Sequence, residues 1–278
     1  MTNNVEYENE IKIANVDFKK TKFDMYVYNE SDEISNSIIQ SKNWDREDTN
    51  KILDALDFYK SKTKIKDEEE LFILDIGSNI GWYSYFLGKI GYKIISFEPS
   101  ERNYYILRKT YCLNNDVNIA TINKALYNED KTCYYYENNE NRRKGKVICK
   151  QRHNLPKYLK KKELIMLTKL NNYVSYLSDK KVVFMKISVE GAEGVVILGG
   201  IEFITKIHIP FIYLEFISEN LNFYKADKRK MLEIFEENGY KISTTSFLDK
   251  NYSSIDDLIN RNDLVKLFIV NIKYFEKN

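Results

Sequence analysis

Four short stretches of the chain combine residue types and spacings that suit chemistry, and each follows an apolar run. The first is Asp75-Ile76-Gly77-Ser78-Asn79-Ile80-Gly81, after Leu71 to Leu74. Its glycines permit a tight turn and let backbone N–H groups come close to a ligand, while Asp75 offers an anion where a ligand amine could be held. A dinucleotide fingerprint needs G-x-G-x-x-G, and Asn79 stands at the middle glycine position, which disfavours a pyrophosphate pressed on bare backbone. A strand-to-helix turn also takes Gly, Asn and Ser for geometry alone. The second stretch is Glu98-Pro99-Ser100, where the carboxylate falls 23 residues after Asp75. A carboxylate at about that distance accepts hydrogen bonds from both hydroxyls of a ribose, although an acid beside a helix N-terminus is mildly stabilising in any case. The third is Asn123-Lys124-Ala125-Leu126, where a polar group can face an adenine edge and Ala125 leaves room for the ring; it also reads as ordinary strand-end chemistry. The fourth is Met185 to Glu193, in which Glu190 and Glu193 flank Gly191. Either carboxylate could act as general base or orient a hydroxyl. Glu193 equally suits a first-turn acid complementing a helix dipole.

The elements that must position these groups are legible in the hydrophobic pattern. Leu71 to Leu74, Lys93 to Phe97, Val117 to Ile122, Val182 to Ser188 and Phe211 to Phe216 read as strands. Helices are expected from about Ile80 to Ile90 with Gly91 as C-terminal cap, from Glu101 to Leu113 with Ser100 as N-cap, from Ala192 to Leu198, and from Lys228 to Asn238. Such alternation implies a mostly parallel sheet covered on both faces, with ligands beyond the carboxyl ends of its strands. Tyr240 to Ser243 and Leu264 to Ile272 have no crossover helix between them and should form an antiparallel pair at one edge. Lys131 to Tyr136 reads as another strand. Ahead of the sheet, Ile11 to Ile13 and Phe23 to Tyr28 suggest one or two peripheral strands. Two helical stripes follow, the first capped by Ser31 or Asp32 and the second by Asp48 or Thr49.

Composition narrows the class. The 278 residues include only 3 Pro and 10 Gly but 22 Tyr and 15 Phe, enough aromatic material for a sizeable core. No apolar stretch approaches the ~20 residues of a membrane span, and the first thirty residues lack a signal-peptide pattern, so a soluble, cytoplasmic protein is expected. Cys112, Cys133 and Cys149 are odd in number and widely spaced, which argues against a disulfide framework and a Cys-type zinc site; two histidines make a His-rich metal site improbable. The net charge of +2 conceals a segregation, because residues 142–162 hold ten Lys or Arg and no acid, leaving the remainder acidic. This segment reads as irregular, or as short and helical near its end. Its charge suits an anionic ligand or a solvated surface loop. His153 lies within it and is an outside candidate for the acceptor side; His208, before a strand, reads as structural.

Taken together, Asp-Ile-Gly-Ser-Asn-Ile-Gly-Trp-Tyr-Ser (75–84), Phe-Glu-Pro-Ser (97–100), Asn-Lys-Ala-Leu (123–126) and Lys-Ile-Ser-Val-Glu-Gly-Ala-Glu (186–193) resemble the FkbM-type S-adenosylmethionine-dependent methyltransferases in wording, order and spacing, from about Trp44 to about Ile272. The resemblance implies a class I methyltransferase (Rossmann-like) α/β fold. This is a seven-stranded, mostly parallel sheet with helices on both faces, preceded by an N-terminal helical segment. Residues 1–65 would form a strand and helix prelude packed on the core and 66–278 the methyltransferase domain, with 142–162 as a basic insert on the substrate side. It further implies S-adenosyl-L-methionine as cofactor, bound by Asp75, Gly77, Ser78, Asn79, Gly81, Glu98, Pro99, Asn123 and Ala125. The implied activity is O-methylation of a hydroxyl on a sugar, glycan or related acceptor, with Glu190 and Glu193 as catalytic candidates and no metal. The family commonly has Asp where this chain has Ser188, which removes a negative charge near the expected position of the reacting methyl. Two other classes of function stay open beside this one. A nucleic-acid-binding methyltransferase would use the cationic stretch and nearby tyrosines; a non-catalytic protein of the same fold would account for Ser188.

Overall fold

The structure, a computed structural model, describes residues 5–29, 32–65, 70–138, 145–149, 155–261 and 263–275. In chain order these form α1 (Val5–Glu8), β1 (Ile11–Phe18), β2 (Thr21–Tyr28), α2 (Glu33–Ser41), α3 (Arg46–Thr63), β3 (Leu71–Ile76), α4 (Trp82–Lys89), β4 (Lys93–Phe97), α5 (Glu101–Tyr111) and β5 (Ile119–Ile122). There follow β6 (Ala125–Tyr127), β7 (Lys131–Asn138), β8 (Lys146–Ile148), β9 (Leu159–Lys169), α6 (Val174–Leu177), β10 (Lys181–Ile187), α7 (Glu193–Leu198) and α8 (Ile201–Ile207). The chain closes with β11 (Phe211–Ile217), α9 (Ser218–Phe223), α10 (Lys228–Glu237), β12 (Tyr240–Ser243), α11 (Ile255–Ile259) and β13 (Leu264–Asn271).

A seven-stranded mixed sheet has the order β12-β13-β11-β10-β3-β4-β5. Strand β10 pairs in parallel with β3 and β11, and β4 with β5, while β13 runs antiparallel to both β11 and β12. The antiparallel pair at one edge is therefore as expected, and it makes the sheet mixed. Strands β3 and β10 are buried almost end to end, as continuous apolar runs should be when helices cover both faces. The N-terminal segment is not simply helical. After the one-turn α1 it forms the antiparallel hairpin β1–β2, whose alternating pattern buries Val16, Phe18, Met25 and Val27, and only then turns into α2 and α3. Asp32 caps α2 by accepting the Ser35 N–H. The second helix, α3, starts earlier than the sequence suggests, at Arg46, so Asp48 sits inside its first turn rather than capping it.

By packing, the chain falls into two units: residues 1–46, 77–125 and 131–167, and residues 47–76, 126–130 and 168–278. In the first, Phe18 of the hairpin meets Trp82 and Phe86 of α4, the latter two stacked at 5.4 Å. In the second, Phe247 packs against Phe184, Phe211 and Phe268 in edge-on contacts that fill the space beside β10, β11 and β13. No helix of the described residues is long and apolar enough to cross a membrane.

Three expectations are corrected here. Lys131 to Tyr136 does form a strand, but in a separate four-stranded sheet of order β6-β9-β7-β8. Residues 142–144 and 150–154, His153 included, lie outside the described residues; the rest supplies β8, an irregular turn at 155–158 and the start of β9, so the end of the segment is a strand rather than a helix. The cysteine count also misled. Tyr134 pairs with Ile148 across β7 and β8, so the next position along each chain brings Cys133 and Cys149 together, and they form a disulfide; Cys112 remains a free, exposed thiol.

Candidate functional site

The turn after β3 is closed upon itself. The N–H groups of Gly77 and Ser78 both donate to the Phe97 carbonyl, at 2.9 and 3.1 Å. The Asn79 N–H donates to Glu98 Oε2 at 2.8 Å, the Ile80 N–H to Asn79 Oδ1 at 2.8 Å, and the Gly81 N–H to the Ser78 carbonyl at 2.9 Å. Every N–H from 77 to 81 is thus engaged within the protein. The turn needs left-handed backbone at Gly77, Asn79 and Gly81. At Gly81 a Cβ would also lie 2.5 Å from Leu107 Cδ1, so only glycine fits. A turn with its donors engaged meets a ligand through carbonyl and side-chain oxygens. Those acceptors suit an ammonium group, whereas a pyrophosphate requires N–H donors.

Glu98 is the hub of the first unit's site. Besides Asn79, its Oε1 accepts the Ser100 N–H at 3.0 Å and Asn103 Nδ2 at 3.3 Å, and the residue is 5% exposed. Ser100 caps α5 as expected, accepting the Asn103 N–H. Asn123 turns its amide back on the same loop, donating to the carbonyls of Glu98 and Pro99 at 2.9 and 3.1 Å, and Ala125 opens β6 beyond it. A carboxylate from β9, Glu163, accepts the Glu101 N–H at 2.9 and 3.0 Å and so holds the start of α5. Burial pushes the Glu163 carboxyl up to about 7, and the neighbouring Glu101 and Glu98 add to this.

In the second unit the strand ends gather acids. Asp75, expected to face a ligand amine, forms a buried ion pair with Lys186 of β10, at 3.2 Å. Lys186 went unassigned in the sequence, although a lysine inside the apolar run Val182 to Ile187 was its signal. The Ser188 N–H donates to the Ile76 carbonyl, which extends the β10–β3 ladder into the loop. Glu190 then adopts φ +56° and Gly191 φ +99°. A non-glycine residue in that region is strained, and such strain persists where the surroundings over-determine it. Glu190 is half-buried at this bend. Glu193 is different: it is 2% exposed and its Oε1 accepts the Val189 N–H at 2.9 Å, clasping its own loop. Burial pushes its carboxyl up to about 8, with Glu190 and Glu215 adding to the shift. Its other oxygen, Oε2, is buried with no partner, the place for the proton of a neutral acid.

The Glu193 shift carries a sign for stability. Between the ordinary value of 4.5 and about 8, the folded chain keeps a proton that the unfolded chain releases. This stabilisation is full below that window and is lost as pH rises through it, by about 1.4 kcal/mol per pH unit. Glu193→Gln keeps the bond to Val189 and removes this dependence. Urea melts near pH 6 and near pH 8 should show a smaller loss of stability for the variant than for the wild type; equal losses would contradict the neutral acid.

The same unit has a cavity of about 250 Å³ lined by Asp48, Lys51, Thr244, Arg261, Leu264 and Lys266, among others. Thr244 follows the end of β12 and Leu264 opens the antiparallel β13. Leu264 pairs with Ile217, the last residue of β11, so the cavity lies at the carboxyl edge of the parallel strands. Asp48, 1% exposed, accepts the Tyr213 hydroxyl at 2.8 Å and is bonded by Lys266. No group of three or more His, Cys, Asp or Glu among the described residues is placed to hold a metal.

A mixed seven-stranded α/β sheet, with a closed glycine turn after one strand and a buried, donor-held carboxylate after the next, is a Rossmann-like arrangement. The methyltransferase FkbM domain matches residues 75–242, and the chain belongs to that family. None of the curated proteins matches it. Among solved structures it is similar to the bifunctional kinase-methyltransferase WbdD, at 13% identity and a TM-score of 0.42, over 80% of this chain and 39% of that one. The METTL16 MTase domain aligns at 9% identity and a TM-score of 0.45, over 96% and 89%. The chain thus spans about two fifths of the length of WbdD.

Proposed function

We propose that the chain transfers a methyl group from S-adenosyl-L-methionine to a hydroxyl of a sugar, glycan or related small-molecule acceptor. The observation that carries the cofactor half is the turn at 77–81, whose N–H groups are all engaged, leaving an acceptor surface for an amino-acid ammonium. Glu98 accepts the ribose hydroxyls, with Pro99 beside it; Asn123 and Ala125 border the adenine; Gly77, Ser78, Asn79 and Gly81 hold the methionine part. Asp75 acts through its pair with Lys186, which fixes the end of β3.

When bound, the cofactor supplies a methyl group already activated on a sulfonium. What the protein adds is alignment, which can remove about 7–11 kcal/mol of barrier in a well-oriented reaction. Glu190 orients the acceptor hydroxyl and takes its proton late in the step, and Glu193 holds the loop that presents Glu190. The cavity at the carboxyl edge, with cationic donors, carboxylate acceptors and apolar side chains, suits the polyhydroxyl body of a sugar.

The reading is tested by supplying S-adenosylmethionine with a panel of free sugars, nucleotide-linked sugars and random RNA, and measuring release of S-adenosylhomocysteine. Release with sugar hydroxyls is expected. Release with RNA alone would replace the acceptor class, and no release with any acceptor, from protein that binds the cofactor, would contradict catalysis.

A further inference from the structure

Tyr28 closes the β1–β2 hairpin, far from the glycine turn in sequence and outside the residues that match the family. It is 2% exposed, and its hydroxyl donates to Asn103 Oδ1 at 2.5 Å. Asn103, 6% exposed in the first turn of α5, in turn donates from Nδ2 to Glu98 Oε1 at 3.3 Å. The Tyr28 ring is held on both sides of this contact. Its backbone N–H donates to Ser35 Oγ at 3.0 Å, and the Arg102 guanidinium lies 5.0 Å above the ring, itself paired with Glu10 and Glu137.

An amide has one acceptor end and one donor end. With the Tyr28 hydroxyl on Oδ1, only Nδ2 can face the carboxylate. Without it, Oδ1 loses its donor and the amide is held on that side only by its own bond to Glu98, so amide and carboxylate can tilt together. We infer that Tyr28 and Asn103 are positioning residues of the cofactor site, through which the N-terminal hairpin fixes the Glu98 carboxylate in the orientation that receives the ribose hydroxyls.

The inference rests on the proposed function, since it requires Glu98 to meet a ribose. It extends that reading by making the hairpin part of the cofactor site rather than a cover on the core. Loss of one hydrogen bond of this kind weakens an interaction by about 2- to 12-fold. Because the hairpin acts on the ribose alone, that loss should vanish for a ligand lacking both of the hydroxyls that Glu98 receives.

The experiment is a calorimetric cycle on the full chain with S-adenosylhomocysteine and its 2',3'-dideoxy analogue, comparing wild type with Tyr28→Phe. Tyr28→Phe should weaken the ribose ligand within that range and leave the 2',3'-dideoxy ligand unchanged, with the melting temperature recorded for each protein. Asn103→Ala should show the same pattern more strongly, and Asn103→Gln, which retains the amide, should recover part of the affinity. Equal weakening of both ligands would mark a purely structural role and overturn the inference, as would unchanged affinity for both. A wild type that binds S-adenosylhomocysteine without preference over its 2',3'-dideoxy analogue would instead remove the assignment of Glu98 to the ribose, and this inference with it.

Discussion

Replacing Glu98 by alanine lowers the affinity for S-adenosylmethionine by about 100- to 1,000-fold. That magnitude follows from losing two hydrogen bonds to a charged acceptor, at about 1.5–3 kcal/mol each, with part of the loss recovered by water. Alanine also leaves the N–H groups of Asn79 and Ser100 and the Asn103 amide without their shared acceptor, so the loops after β3 and β4 loosen together. Glu98→Gln separates the two effects. It keeps one acceptor oxygen for the loops but turns an NH2 group toward one set of donors, and it should lose affinity with a smaller drop in melting temperature. Calorimetry on the three proteins checks this. Wild-type affinity in Glu98→Ala would contradict the assignment of the ribose site.

Glu190→Gln should lower kcat by about 100- to 10,000-fold, the range over which a positioned general base contributes, while cofactor affinity stays at the wild-type level. Glu190 and Glu193 are not equivalent. Glu193 is buried, holds the Val189 N–H and has its carboxyl pushed up to about 8, so near neutral pH it holds a proton and cannot take one. Glu190 sits half-buried at a strained bend, on the loop that Glu193 clasps. Single-turnover rates with bound cofactor test the distinction. A Glu190→Gln enzyme with an unchanged rate, or a Glu193→Gln enzyme that loses as much, would reverse the roles.

The strands that carry these groups were readable because β3, β4, β10 and β11 are continuous apolar runs, each ending at a polar or glycine-bearing turn. Ser100 was readable as the cap of α5 for an equally local reason. What could not be read depends on pairing between distant segments. Strand β9 begins in a lysine run that hides any alternation, and it is the Tyr134–Ile148 register that brings Cys133 to Cys149. The first-turn position of Glu193 suggested a dipole partner or a base. Only the fold of the loop shows its carboxyl turned inward onto Val189. In the same way Asp75 was readable as a functional anion, but its partner Lys186 lies 111 residues away. Tyr28 carries no local mark at all: in sequence it is one more tyrosine on an amphipathic strand, and its contact with Asn103 spans 75 residues.

The central claim is that the turn at 77–81 and the Glu98 carboxylate together receive an adenosyl sulfonium. The most direct measurement is a titration of the isotopically labelled protein with S-adenosylmethionine, following the backbone amides by NMR. Saturable shifts concentrated at Gly77, Ser78, Asn79, Ser100 and Asn123 are expected. A folded protein whose amides at these positions do not move at millimolar ligand, or move equally with adenosine-free methionine, would contradict it.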